Sequence, residues 1–384
     1  MTFVPEVRSI RAYLGGSHAA MATELGRFAM QAIAPLPEPR DDDAARVQAR
    51  EVLARIGGAG WFAPIFRRDF RGCCLVREAL AAVSPLSDAV FALQALGTMP
   101  ILLAGTPPLK ERWLSAAEAG RAMAAFAMTE PDAGSDVASL TTSARRDGDG
   151  WVLNGAKTFI SNAGIADFYT TFATTDRALG HRGIACFVVP ASTPGLRFVR
   201  AQVLSAPHPL GELAFTDCRV PDEFLLAGPG QGFKLGLATL DRLRATVGAA
   251  ACGMAARALA EAVAHARSRH QFGEPLAKFQ LVQDKIARMA TELTAARLLV
   301  YRAAWEVDGG AERVTVEAAM AKAYATEAAQ RIVDDAVQIL GGRGVMADHP
   351  VEGLYRAVRT LRIYEGTTEI QHLVIAGQLL AGSP

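Results

Sequence analysis

The sequence predicts an α+β multidomain protein: an N-terminal α-helical domain (residues 1–124), a middle β-barrel or sandwich domain (125–229) and a C-terminal four-helix bundle (230–384). Three observations predict it. Apolar residues recur at spacings of three and four from about residue 7 to 125, and again from 233 onward, which is helical periodicity. Between these stretches lie six short strand-like pieces punctuated by turn signals, among them Asp147-Gly148-Asp149-Gly150 and Asn154-Gly155. A chain of 384 residues also suits about two to three domains.

In chain order, Asp41-Asp42-Asp43 reads as a helix start, and that helix runs to about residue 56, where Gly57-Gly58 should stop it. Residues 87–103 form an apolar helix broken by Gly105-Thr106-Pro107-Pro108, and residues 110–119 restart one that Gly120 ends. The strand-like pieces are 151–153, 158–160, 168–173, 184–189, 196–199 and 212–215. Gly228-Pro229-Gly230-Gln231-Gly232 closes this region, and long helices follow at about 233–268, 275–308, 312–340 and 366–380.

Composition excludes several classes. The net charge of +1 leaves no electrostatic footprint for nucleic acid. The five cysteines show no CxxC and read as reduced, buried thiols of a cytoplasmic protein. No unbroken run of about 18 apolar residues occurs, so no membrane association is expected. No HxxxH, HExxH or Cys/His cluster points to a metal, and GxGxxG, P-loop and GxSxG motifs are absent.

The chemistry concentrates in a few stretches. In Arg362-Ile363-Tyr364-Glu365-Gly366-Thr367-Thr368-Glu369, a carboxylate follows an apolar pair and precedes a glycine. Poor solvation there raises a carboxylate's pKa and makes it a better base. The same stretch also reads as an ordinary helix start capped by Thr367 or Thr368, with Glu369 in the first turn. The loop 129–136 supplies hydroxyls and free backbone N–H groups for a polar ring edge or a phosphate. Lys157-Thr158-Phe159-Ile160-Ser161-Asn162 puts an aromatic ring and a hydroxyl two residues apart, on one side of a strand. Arg269, at the end of a long helix, suits a pyrophosphate, and Gly341-Gly342 bares backbone at another helix end.

Together these pieces resemble the acyl-CoA dehydrogenase family. The matching segments are Met128-Thr129-Glu130-Pro131 with Ala133-Gly134-Ser135-Asp136, Leu153-Asn154-Gly155 with Lys157 and Phe159-Ile160-Ser161-Asn162, Phe215 with Val220-Pro221, Gly230 with Gly232-Phe233, Arg269 with Phe272-Gly273, Gln338-Ile339 with Gly341-Gly342 and Gly344, and Tyr364-Glu365-Gly366-Thr367. They fall in the family's order over nearly the whole chain.

The resemblance implies a noncovalent FAD. Phe126, Met128, Thr129 and Ser135 would line the flavin ring and the pantetheine channel, Phe159 would stack near the ring, and Ser161 would bond near its N5. Arg269, Gln271, Phe272 and Gln280 would hold the dinucleotide. Gln338, Gly341 and Gly342 would reach the FAD of a neighbouring subunit in a homotetramer, and Gly366, Thr367 and Glu369 would touch the cofactor beside the base. Ser135, Asp241 and Arg244 match positions near the acyl-CoA. The implied reaction is α,β-dehydrogenation of an acyl thioester with Glu365 as base, its electrons leaving to an electron-transfer flavoprotein. Leu243 stands where some relatives carry the base, which favours Glu365. Residues 87–103 would border the acyl pocket with Phe91, Leu93, Gln94 and Leu96 and no basic residue, so an uncharged acyl chain is expected. The chain departs from the family pattern at Ser205-Ala206-Pro207-His208-Pro209-Leu210-Gly211, at Ala357, and at His372 and Gly377. The alternatives are therefore an acyl-carrier-protein thioester as substrate, or a flavin oxidase or monooxygenase on the same fold.

Overall fold

The computed structural model describes residues 4–382. In order, the helices are α1 (His18–Phe28), α2 (Asp42–Gly58), α3 (Ala63–Arg67), α4 (Phe70–Val83), α5 (Pro85–Ala104), α6 (Pro107–Glu118), α7 (Gln231–Ser268), α8 (Gln280–Asp308), α9 (Thr315–Leu340), α10 (Pro350–Leu361) and α11 (Thr368–Leu380). Between α6 and α7 come β1 (Ala124–Ala127), β2 (Ser143–Asp147), β3 (Gly150–Ser161), β4 (Phe168–Thr174), β5 (Ile184–Pro190), β6 (Leu196–Ala201), β7 (Leu210–Pro221) and β8 (Leu225–Ala227). A short hairpin, β9 (His270–Gln271) with β10 (Glu274–Pro275), separates α7 from α8. The helix–β–helix order is the one expected. The chain forms two compact units, Met1–Pro37 with Asp69–Asp88 and Asp241–Pro384, and Glu38–Arg68 with Ala89–Leu240.

The second unit is built on one eight-stranded sheet of order β6-β7-β3-β2-β4-β5-β8, with β1 parallel to β4 off that path. Its core includes Phe168, Phe172, Phe187 and Leu153. Helix α2 is tied to this sheet by Arg46, which donates to Ala163 O at 2.5 Å and Leu210 O at 2.7 Å. The expected stop at Gly57-Gly58 is where α2 ends, with Gly58 its last residue. Gly57 also serves close packing, because a Cβ there would lie 2.3 Å from Gly120 N. Left-handed backbone comes later, at Gly60 (φ 78°). Pro107 and Pro108, expected to break a helix, begin α6, where a missing N–H does no harm.

Two expected strands, 151–153 and 158–160, are one continuous β3. Its register against β7 slips between Lys157 and Ile160, and Phe159 sits at φ 54°. This bulge, and not simple alternation, turns the Phe159 ring outward, leaving the residue 61% exposed.

The first unit is helical. Alanine-rich faces let α7, α8 and α9 approach closely: a Cβ on Gly248 would fall 2.6 Å from Val300 Cγ2 and 3.2 Å from Ala321 O. Glu78 on α4 is fully buried and paired with Arg297 at 2.5 Å, with Tyr301 Oη donating to its other oxygen at 3.1 Å. Helix α10, which the sequence reading missed, begins with Pro350 behind an N-capping His349.

All five cysteines are free and buried, and burial raises their thiol pKa values, which makes them poor nucleophiles. Helices α5 and α7 are long and apolar enough to cross a membrane, but 78% and 67% of their most apolar windows are buried in the protein. The sequence reading counted unbroken apolar runs, and Asp88, Gln94 and Thr98 interrupt α5.

Candidate active site

Glu365 lies in the turn between α10 and α11, at φ 54°, followed by Gly366 at φ 90°. A left-handed glutamate is strained by roughly 1–3 kcal/mol and persists only where its surroundings enforce it. Here Gln371, fully buried, donates from Nε2 to Glu365 O (3.2 Å) and Gly366 O (3.0 Å). The buried Lys322 on α9 donates to Gly366 O at 2.7 Å. Thr367 caps α11 by accepting from Ile370 N at 3.3 Å, so the ordinary helix-start reading also holds. Cap and strained carboxylate coexist in one turn.

Burial raises the Glu365 carboxyl pKa, against the pull of Arg77, Arg244 and Lys322 and with the help of Asp88. Arg77 is 1% exposed and forks onto Asp88 at 2.7 and 2.9 Å, with its third nitrogen on Thr246 Oγ1 at 3.0 Å. A buried charge placed this way needs such pairing. The Glu365 oxygen Oε2 is sealed from solvent and has no hydrogen-bond partner, and so are Arg244 Nε and Gln371 Oε1 beside it. That three such atoms gather around one strained carboxylate fits a site whose bonding a ligand completes.

Burial brings the Lys322 ammonium down to about 8 from its ordinary 10.5, with Glu365 opposing and Arg244 assisting. Below pH 8 both folded and unfolded chains carry this proton. Between about 8 and 10.5 only the unfolded chain holds it, so its contribution to stability rises with pH across that window. Lys322→Met should remove this dependence. The wild-type-minus-variant difference in urea unfolding free energy should climb between pH 8 and 10; a flat difference would contradict it.

In the other unit, the loop after β1 is set by a buried ion pair. Lys157 Nζ donates to Glu130 Oε1 (2.7 Å) and Met128 O (3.1 Å). Glu130 also accepts from Thr141 N, Thr141 Oγ1 and Thr142 N. Burial alone would raise Glu130; Lys157 and these hydrogen bonds bring it instead to about 2. Burial lowers Lys157 to about 8 against the attraction of Glu130. Thr158 N donates to Thr129 O at 3.0 Å, so Met128 and Thr129 are fixed along β3. Phe126 packs on Phe172 with ring centroids 5.0 Å apart, and Ser135 is exposed. Gln202 Oε1 accepts from Phe159 N at 2.8 Å and holds the bulge, and Ser161 Oγ meets His208 Nε2 at 2.7 Å.

The sequence-predicted residues after α7, at the start of α8 and at the end of α9 are exposed. Arg269, Gln271 and Phe272 belong to the hairpin segment after α7, and Gln280 opens α8. Phe272 and Gly273 take φ 51° and 86°, the two left-handed positions of a tight hairpin turn. The Phe272 residue is 94% exposed. Gln338, Gly341 and Gly342 stand at the end of α9, where a Cβ on either glycine would meet nothing within 4 Å. Asp241 accepts from Arg244 and Thr315, each at 2.8 Å. By themselves, the hydroxyls and aromatic faces of the second unit have the chemistry of a flavin-ring contact, and the exposed guanidinium, amides and bare glycine backbone of the first have that of a dinucleotide contact.

The sequence reading missed Arg77, Asp88, Lys322, His208 and Gln371. A signal existed for two of them: Arg77 and Lys322 interrupt apolar or alanine-rich helical runs, where a charge is rare unless paired. Gln94, expected to line the acyl pocket, is instead fully buried and holds Ala117 O, Ala122 O and Ala124 N.

Comparison with known proteins matches three family models: acyl-CoA dehydrogenase N-terminal domain (16–121), middle domain (125–218) and C-terminal domain (230–380). A protein of Mycobacterium tuberculosis named a probable acyl-CoA dehydrogenase is 39% identical over 94% of this chain and 90% of its own length. The human mitochondrial short-chain specific acyl-CoA dehydrogenase is 41% identical over 86% of this chain and 79% of its own. The solved structure of butyryl-CoA dehydrogenase from Megasphaera elsdenii superposes with a TM-score of 0.89 at 34% identity, covering 96% and 99% of the two chains.

Proposed function

The chain belongs to the acyl-CoA dehydrogenase family, with FAD as its cofactor, and from that premise we propose that it converts a short, uncharged acyl thioester to its trans-2-enoyl form. The carrier is CoA, and the electrons leave to an electron-transfer flavoprotein. The observation that carries this reading is Glu365, a strained residue whose sealed, unpartnered oxygen has a raised pKa. A base of raised pKa is matched to a weakly acidic α-proton near neutral pH.

Glu365 takes the α-proton, and its backbone N–H polarises the thioester carbonyl. FAD, when bound, supplies the acceptor for the β-hydride. Met128, Thr129, Ser135, Phe159 and Ser161, with Phe126 behind them, would hold the ring. Arg269, Gln271, Phe272 and Gln280 would hold the dinucleotide, and Gly366, Thr367 and Glu369 would meet it beside the base. Asp241, Arg244 and Ser135 serve the acyl-CoA. The names of the human and Megasphaera relatives support the short chain. An uncharged chain is supported by Arg77, whose guanidinium nitrogens are taken by Asp88 and Thr246, so that this charge is not free to meet a distal carboxylate. Exposed apolar residues on the C-terminal helices, including Leu281, Leu373, Leu379 and Leu380, support a homotetramer in which Gln338, Gly341 and Gly342 reach a neighbour's FAD.

The test is anaerobic flavin bleaching against acyl-CoAs of graded length, glutaryl-CoA and the matching acyl carrier proteins. Bleaching by butyryl-CoA is the expected result. Bleaching by glutaryl-CoA alone, or by acyl carrier proteins alone, would refute the substrate reading, and no bleaching by any thioester would refute the activity.

A further inference from the structure

The segment from Ser205 to Gly211 departs from the family pattern, and the fold places its one histidine against a residue assigned to the flavin. His208 Nε2 lies 2.7 Å from Ser161 Oγ. Both partners are clamped. Ser161 ends β3, and the next residue, Asn162, donates from its backbone N to Pro209 O at 2.9 Å. Pro207 and Pro209 flank His208 and stiffen its backbone. Arg46 bridges the carbonyls of Ala163 and Leu210, two residues beyond each partner. Burial, with the nearby Arg46 charge, pushes the His208 imidazole down to about 4, so it is neutral at physiological pH.

A neutral imidazole nitrogen facing a hydroxyl is either a single donor or a single acceptor. We propose that His208 is a positioning residue for Ser161: its Nε2–H donates to Ser161 Oγ and so directs the serine's own proton toward the flavin edge. This rests on the reading above that Ser161 faces the ring. A hydroxyl has one proton and two lone pairs. With a lone pair engaged by His208, the proton is left for an acceptor on the ring. Near N5 the oxidised ring accepts a hydrogen bond from this proton, whereas the reduced ring carries hydrogen there and donates, so a fixed hydroxyl donor favours the oxidised form. Without His208 the hydroxyl can turn to other acceptors, and that support is diluted.

The test uses FAD-loaded His208→Ala, His208→Asn, Ser161→Ala and the Ser161→Ala/His208→Ala double variant, read by the midpoint potential and visible spectrum of the bound flavin. One hydrogen bond's worth of support is about a tenfold change in the reduced-to-oxidised equilibrium, or about 30 mV for a two-electron couple. His208→Ala should therefore raise the potential by about 30 mV and perturb the spectrum, and His208→Asn, which keeps a donor, should recover part of the shift. Ser161→Ala should also raise the potential, and adding His208→Ala to it should change nothing further, because the histidine acts through the serine. A wild-type potential in His208→Ala, or shifts that add in the double variant, would overturn the proposal. If Ser161→Ala shifts the potential while His208→Ala does not, only the histidine's role fails. If Ser161→Ala shifts nothing, the placement of Ser161 fails as well. Should His208→Ala lose its FAD or its fold, His208→Asn is read in its place, and the same loss there counts against a positioning role.

Discussion

Glu365→Gln is expected to keep its fold and its FAD and to lose flavin reduction by substrate by about 10²–10⁴-fold or more, the scale of a positioned general base. The substitution is nearly isosteric, and the turn does not depend on the carboxylate. What holds the turn is Gln371 and Lys322 gripping the backbone carbonyls of residues 365 and 366. The Glu365 oxygen Oε2 has no partner to lose. Stopped-flow reduction with butyryl-CoA measures the effect, and near wild-type reduction would assign the base elsewhere.

Asp88→Asn is expected to act twice, because Asp88 neutralises a guanidinium that also faces the base. Breaking a buried ion pair from one side costs about 3–5 kcal/mol, since the remaining charge stays buried and uncompensated. Arg77 and Asp88 are both almost wholly buried, so that scale applies, and urea unfolding measures it. The second effect is on Glu365, whose pKa Asp88 helps to raise and Arg77 holds down. With the carboxylate gone, the full Arg77 charge acts on Glu365 and its pKa falls. The acid limb of the pH–rate profile for flavin reduction then moves to lower pH. An unchanged acid limb together with the loss of stability would mean that the ion pair supports the fold alone.

Much of this protein can be read along the chain. Helical spacing, strand punctuation and capping residues are local properties, and the helix–β–helix order they indicate is the order found. Asp41 does cap α2, accepting from Ala44 N, and Thr367 does cap α11. Local signals failed where a residue's role depends on what lies across from it. Gly57 reads along the chain only as part of a helix end and is also a packing contact, because Gly120 occupies the space a side chain would need. Phe159 looked like one member of an alternating strand and is turned out by a bulge set by pairing with β7.

The motifs around Glu130, Phe159, Arg269, Gly341 and Glu365 could be named as candidates from the sequence, because each is a short contiguous run. Their electrostatic setting could not. Glu130 meets Lys157 across 27 residues, Lys322 meets Gly366 across 44, and Ser161 meets His208 across 47. Which charged or polar side chains meet at such separations is decided by how helices and strands pack, since a buried charge is tolerated only where the fold supplies its partner. Most elements and the short contiguous motifs are legible along the chain; that Glu365 is strained, has one oxygen sealed and is flanked by Arg77, Arg244 and Lys322 is set by tertiary packing, because desolvation and Coulomb interactions depend on distance in space and not along the chain.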